Sequence, residues 1–293
     1  MATSNNFDLP APLYKALTPD RRIPVLKRIS ATALIDAPLQ RILKMKHFND
    51  IKEDASENLW ALLGSAVHVV VEKSGSVDTS EVKETYEHPL GVTLVTVGDY
   101  YDNEILTDWK ITSVWSFMLG TKDEWINQLN VVKYIYEKKG IPVKKMQVYA
   151  ILRDHMKSKI YDSGYPQIPF QKMDIPVIKN MEAYIESRIN LHLAAEELID
   201  DPAQIPQCSP KERWQRPTVY AVKKKDQKKA VRVLDTIEDA TAYMQNNCKG
   251  AGTYYIETRV GADIKCQDYC SVNTFCEYYK KSNVGPSGGG DGD

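Results

Sequence analysis

Residues 91–114, "GVTLVTVGDYYDNEILTDWKITSV", constrain the fold more than any other stretch. Apolar and polar side chains alternate along it, and it is dense in Val, Thr and Ile. That is the pattern of strands with one buried face. Asp102-Asn103 interrupts the alternation with turn chemistry, so the stretch predicts a β-hairpin. Asp99 would end its first strand, and Asp108 would lie on its second. Helical patterns stand on either side. "SENLWALLGSAVHVVVEK" precedes it, with Ser56 as N-cap candidate; it is apolar nearly all round and so predicts a buried helix. "TKDEWINQLNVVKYIYEKKG" follows, with helical period and Gly140 as its stop. "VKKMQVYAILRD" reads as a further strand. "DIPVIKNMEAYIESRINLHLAAEELI" reads as a long helix opening near Pro176. Helix, hairpin, helix, strand and helix together predict a mixed α/β core, a central sheet flanked by helices.

The rest of the chain divides around this core. Residues 1–27 are Pro-rich and read as irregular. "ISATALIDAPLQRILKMKH" then begins a short helix, with Ser30 or Thr32 as its N-cap. We place the core at 28–200 and a C-terminal extension at 201–281, and we expect the Gly-rich tail 282–293 to be disordered. The extension reads as strand, basic turn (Lys223 to Lys229), strand and helix, then a strand followed by a cysteine cluster.

Composition narrows the function. The net charge is −1, so any nucleic-acid contact comes from local basic patches rather than a global field. No GxxxxGK[ST] occurs, so this chain encodes no P-loop motor. The longest apolar run, Leu59 to Val71, is too short to span a bilayer, and no charged segment followed by an apolar core opens the chain. A cytoplasmic setting is the expectation. Of five cysteines, four fall between residues 248 and 276. In a reducing compartment this clustering speaks for something other than a disulfide scaffold.

The chemistry concentrates at the hairpin. Asp108 and Lys110 share one strand face because strand side chains alternate. Alone, such a pair reads as a solvent-facing edge strand. The turn, however, brings Asp99 close to Asp108. His68 and Glu72, four apart, share a face of the preceding helix, although a histidine in an apolar helix is also a common core residue. Two carboxylates and an imidazole suit a hard cation, Mg²⁺ or Mn²⁺. A neighbouring lysine can offset charge developing on a phosphate or orient a water. In the extension, Cys266, Cys270 and Cys276 form C-x3-C-x5-C, which with one more thiolate could hold zinc or an iron–sulfur cluster.

The order of helix-His, strand-Asp, turn, strand-Asp-x-Lys and helix-Gln resembles the RecB-like branch of the PD-(D/E)XK nucleases. "LLGSAVHVVVE" is similar to that branch's helical histidine motif, "VGDYYDNEILTDWKIT" to its paired carboxylates and lysine, and "WINQLNVVKYIY" to its Gln motif. The resemblance covers roughly residues 28–200. It implies that His68, Asp99 and Asp108 bind metal with the Trp109 carbonyl as a further ligand. It also implies that Lys110 is the catalytic lysine, with Gln128 positioning substrate or lysine. Two departures stand out. Thr96 occupies a position where the family often has glycine, and Val132 one where it often has tyrosine, with Tyr134 and Tyr136 nearby. Members of the iron–sulfur-containing branch (CRISPR-associated, AddB-type and phage relatives) close the fold with a four-iron cluster. Their C-terminal trio commonly has C-x2-C-x5-C spacing, one residue shorter than here. The resemblance makes Cys208, in "CSPKERW", the fourth ligand and leaves Cys248 as a spare thiol.

The expectation is thus a Mg²⁺- or Mn²⁺-dependent DNA exonuclease, phage or prokaryotic, acting on single-stranded ends. It would carry a [4Fe–4S] cluster (or zinc) and would need a partner helicase for unwinding. If phage-encoded, it would work in the host cytoplasm. The alternatives are a non-catalytic DNA-binding recombination accessory protein and an endonuclease or nickase. Lys144, Lys145, Arg153, Arg213 and Arg216 are candidate DNA contacts, and Tyr165 and Trp214 candidate base-stacking side chains.

Overall fold

The computed structural model describes residues 2–18, 23–74, 80–249 and 252–283. They fall into two compact units, Met1–Pro206 and Gln207–Asp293.

The segment expected to be irregular carries strand β1 (Ala2–Ser4) and helix α1 (Ala11–Leu17). Beyond it, β2 (Arg28–Ser30) runs into α2 (Ala31–Ile35), with the Ser30 hydroxyl accepting the Ala33 N–H at 3.2 Å as N-cap. Next come α3 (Pro38–Lys46) and β3 (Lys52–Asp54), which pairs in parallel with β1. The Asp54 carboxylate accepts from Ser4 Oγ at 2.8 Å and the Asn6 N–H at 2.9 Å, so the N-terminal strand is tied down by one buried acid.

Asp54, rather than Ser56, is the cap of the following helical segment. It forms a capping box with Glu57 on a 3₁₀ turn (Ala55–Asn58) that feeds α4 (Leu59–Ser74). The expected burial of α4 does not hold, because none of its residues is buried. The core face of the sheet is filled by other helices, so α4 leans on neighbouring strands and leaves Trp60 60% exposed.

The sheet is mixed. β4 (Ser80–His88) pairs antiparallel with β5 (Val92–Asp102) along one edge of that strand. The other edge of β5 is shared. β2 lies parallel to residues 93–95, and β6 (Ile105–Thr112) lies antiparallel to residues 100–102. β5 therefore continues beyond Asp99, its expected end. The connecting residues Asn103 and Glu104 both have positive φ, 50° and 62°, the type I′ geometry that matches the strand twist.

From β6 the chain passes through α5 (Val114–Met118) and α6 (Asp123–Lys138), which stops at Gly140 with φ +79°. β7 (Lys145–Leu152) then lies parallel to β6, and β8 (Phe170–Ile175) antiparallel to β7. The last helix of this unit, α7 (Met181–Glu197), opens at Asn180 rather than near Pro176. Leu129, Val132, Ile135 and Tyr136 of α6 pack on Leu94, Leu106, Met146 and Val148 of the sheet. Ile185 and Ile189 of α7 close that core.

In the second unit, β9 (Gln215–Arg216) and β10 (Val219–Lys224) are followed by β11 (Arg232–Leu234) and α8 (Ile237–Asn247), then by β12 (Tyr254–Arg259) and β13 (Ala262–Asp263). β10 is the centre of a three-stranded antiparallel sheet, β11-β10-β12. The expected strand, basic turn, strand and helix are all present. α9 (Ile264–Asp268) carries Cys266, and α10 (Glu277–Asn283) directly follows Cys276. The first residues of the expected tail thus end a helix, while residues 284–293 lie outside the described residues.

Candidate active site

The shared edge of β5 creates the site. Its ladder with β6 ends at the Tyr100–Thr107 pair, and β6 diverges toward β7. One more step of that register would set Asp99 opposite Asp108. There the strands part and leave main-chain groups without a ladder partner. The Trp109 N–H turns to the Asp99 carboxylate instead, Oδ2 at 2.9 Å. In a strand, the N–H and C=O of one residue face the same edge, so the Trp109 carbonyl is directed at this gap as well.

Around the gap the expected side chains converge. His68 Nδ1 on α4 lies 3.5 Å from Asp99 Oδ1. The Lys110 ammonium sits 3.0 Å from Asp108 Oδ1, 2.9 Å from Oδ2 and 3.4 Å from Gln128 Oε1 on α6. Asp108 is 4% exposed, and its Oδ2 accepts no aligned hydrogen bond. Burial pushes the Asp108 carboxyl up to about 6; Lys110 opposes that rise and Asp99 adds to it. Glu72, on the same helix as His68, is exposed.

As they stand, no three His, Cys, Asp or Glu side chains among the described residues close around a common metal position. The donor set nonetheless suits a hard divalent cation. It offers one imidazole and two carboxylates, and it includes a buried carboxylate oxygen without an aligned donor. The Lys110 ammonium stands beside that carboxylate as its present cation.

Two positions beside the gap, Gly98 and Trp60, were not among the candidates read from the sequence. Gly98 is buried next to Asp99, and a Cβ there would lie 2.3 Å from the Tyr136 hydroxyl oxygen. That hydroxyl donates to the Val82 carbonyl at 2.7 Å. A glycine just before the first aspartate was the available signal. Arg153, just past β7, places its guanidinium 4.4 Å above the Trp60 ring.

The remaining candidates separate by environment. Lys144 is exposed and paired with Glu104, and Lys145 lies 3.0 Å from Asp174. Tyr165 accepts the Met156 N–H at 2.7 Å and packs against Val114, Ala150 and Leu152, so it anchors a loop. In the second unit Arg213 is buried; its Nε lies 3.2 Å from Asp263, its guanidinium covers the Tyr278 ring, and it donates to the Cys208 carbonyl. Trp214 packs against Tyr269, and Arg216 is exposed on β9.

Cys208, Cys266, Cys270 and Cys276 share one electrostatic neighbourhood. Burial pushes the Cys208 thiol up to about 12, and the neighbouring Glu212, Cys276, Cys266 and Cys270 add to the rise. Cys266 is pushed to about 11 by burial, with Cys270, Asp263 and Cys276 contributing. Cys248 stands apart at the C-terminal cap of α8.

No family model matches the chain, and neither does any curated protein. Three solved structures align with parts of it. SSO0001 shows 16% identity and a TM-score of 0.44 over 66% of this chain and 83% of its own. A phage related exonuclease from Haemophilus somnus 129PT shows 12% identity and 0.38 over 59% and 93%. LHK-Exo in complex with dAMP shows 14% identity and 0.33 over 60% and 91%.

Proposed function

We propose that this chain is a metal-dependent deoxyribonuclease of the RecB-like type that degrades DNA from single-stranded ends. The observation that supports it best is the parting of β5 from β6. That parting brings Asp99, Asp108 and Lys110 to one gap, with His68 and Gln128 reaching in from two helices.

His68, Asp99 and Asp108 would hold a Mg²⁺ or Mn²⁺ ion, with the Trp109 carbonyl as a further ligand. A cation bound there activates water and neutralises charge on the scissile phosphate. Lys110 positions the attacking water and offsets charge in the transition state. Gln128 and Asp108 restrain the Lys110 ammonium between them. Asp99 couples the metal position to the backbone of β6 through the Trp109 N–H.

In the second unit Cys208, Cys266, Cys270 and Cys276 would hold a [4Fe–4S] cluster, with zinc as the other metal that suits four thiolates. Mutual electrostatic influence among the four thiols supports that grouping. With no P-loop in the chain, a separate helicase or recombination partner would supply single strands from duplex DNA.

The test is cleavage of end-labelled linear single-stranded, linear double-stranded and circular single-stranded DNA with Mn²⁺. Linear single strands should be degraded and circles spared. Rapid cutting of the circle would make the protein an endonuclease. Absence of cleavage with either metal would remove the enzyme altogether.

A further inference from the structure

Beyond the metal gap lies a group of exposed aromatic and basic side chains that the proposed chemistry does not use. Trp60 opens α4, two turns before His68, and is 60% exposed. Eight helical residues rise about 12 Å. The ring carries the Arg153 guanidinium on its face at 4.4 Å, yet remains open to solvent. Arg153 is held in place from the other side, since its N–H donates to the Thr112 carbonyl at 3.0 Å. Thr112 lies two residues beyond Lys110 on β6, about 7 Å along the strand. Two independent elements, α4 and β6, thus put the Trp60–Arg153 pair next to the gap.

A second exposed tryptophan lies on α5. The Val114 N–H donates to Asp154 Oδ1 at 2.7 Å, and the next residue, Trp115, is 67% exposed. Two exposed indoles are thus tied to the dipeptide Arg153–Asp154, Trp60 by its ring contact with Arg153 and Trp115 through the backbone of its neighbour Val114. The loop that follows adds exposed Lys157, Lys159 and Tyr161, while Asp154 is engaged at Val114 and Asp162 is its other acid. Open indoles interleaved with cations match a strand that offers both unpaired base faces and phosphates. A duplex hides its base faces, and an apolar partner surface would leave the cations unpaired. Self-association through the open face of α4 is the competing occupant.

We infer that Trp60 and Trp115, with Arg153 between them, form a platform on which bases of a single strand stack while the neighbouring phosphate enters the gap. This rests on the reading of the gap as a nuclease site, and it assigns that site its preference for unpaired DNA. The pair binds and orients substrate and takes no part in bond cleavage.

Anisotropy of fluorescein-labelled oligo(dT) of about 20 nucleotides, measured on the full chain in EDTA, separates binding from cleavage. Trp60→Ala and Trp115→Ala should each weaken binding about 5- to 150-fold, the range of one lost base–aromatic stack. Trp60→Phe should recover most of the loss, and affinity for a blunt duplex should change less than about threefold. With Mn²⁺, Trp60→Ala should raise KM and leave kcat nearly unchanged. Wild-type protein that cuts DNA while Trp60→Ala binds oligo(dT) equally well would overturn the platform and leave the nuclease standing. A Trp60-dependent affinity without cleavage under any divalent ion would do the reverse. Failure of the wild type to bind oligo(dT), or a drop in sedimentation mass in Trp60→Ala without loss of binding, would overturn the platform and assign the face to another partner.

Discussion

Gly98→Ala offers a test of the structure that needs no assumption about activity. The added Cβ would lie 2.3 Å from the Tyr136 hydroxyl oxygen and 3.1 Å from both Tyr136 Cζ and Leu106 Cδ1. The first distance is about 1 Å inside van der Waals contact, so something must move. Tyr136 is fully buried on α6 and cannot swing into solvent. Overpacking of this kind costs about 1–3 kcal/mol. If the ring yields, the hydrogen bond to the Val82 carbonyl is lost in a buried setting, at a further cost of about 1–3 kcal/mol. Burial already holds the Tyr136 phenol well above its ordinary range, so it remains a donor throughout the assay. The expected loss is therefore about 2–6 kcal/mol, a large share of a stability of about 5–15 kcal/mol. Tyr136→Phe alone should cost about 1–2 kcal/mol for the lost bond. In the double variant the oxygen that clashes is gone, and only the two 3.1 Å contacts remain to be relieved. The two losses should fall short of adding by at least about 1 kcal/mol. Urea unfolding followed by far-UV circular dichroism measures all four proteins. Losses that add within about 0.5 kcal/mol, or a Gly98→Ala variant as stable as wild type, would refute the packing described here.

Other expectations follow from the site and its surroundings. Lys110→Ala should lower turnover by about 10²-fold or more while Mn²⁺ binding, measured by calorimetry, persists; Asp108→Ala should lose both. Asp108→Asn should raise the stability of metal-free protein at pH 8, because a carboxyl with a raised midpoint destabilises the fold once ionised, and this gain should vanish at about pH 4. His192 is fully buried on α7, with Nε2 3.2 Å from the Leu34 carbonyl, and burial holds its imidazole down to about 4. The unfolded chain takes up that proton at higher pH than the folded one, so stability is complete above about pH 6.5 and falls as pH drops toward 4, by about 3 kcal/mol. Urea midpoints across that window should show the slope, and His192→Gln should flatten it. Anaerobically purified protein should be brown; Cys208→Ser should lose the colour and Cys248→Ser keep it, and a colourless wild type with one zinc would replace the cluster.

Local chemistry made much of this site legible. The β-branched alternation of residues 91–114 reports two strands, and the Asp102-Asn103 signal lies within one residue of the actual Asn103–Glu104 turn. Gly140 ends α6 because a positive φ there is nearly free for glycine. What stayed hidden depends on partners far away in sequence. Tyr100 and Tyr101 read as the approach to a turn, but they pair with Thr107 and Leu106 and carry β5 past Asp99. β4 escaped notice because Lys83, Thr85 and Glu87 face solvent while Glu84 interrupts the inward set of Val82, Tyr86 and His88.

The helix α4 shows why hydropathy alone misleads. Its sequence is apolar on every side, which ordinarily means burial, yet its place is set by what already covers the sheet. Helices α6 and α7 fill the core face, so α4 can bring His68 to Asp99 only by resting on the strands beside the gap. Its apolar perimeter then remains outside, with Trp60 at its first turn under the Arg153 guanidinium. Exposed apolar side chains gathered on one helix mark an interaction surface, for nucleic acid or for protein. The Arg153 guanidinium over Trp60 favours a strand of nucleic acid at that end. Leu63, Val69 and Val70, further along the helix, are exposed as well, and replacing Val70 with Ser should leave oligo(dT) affinity unchanged. A large loss of affinity in that variant would show that the whole helix, not its first turn, meets the DNA.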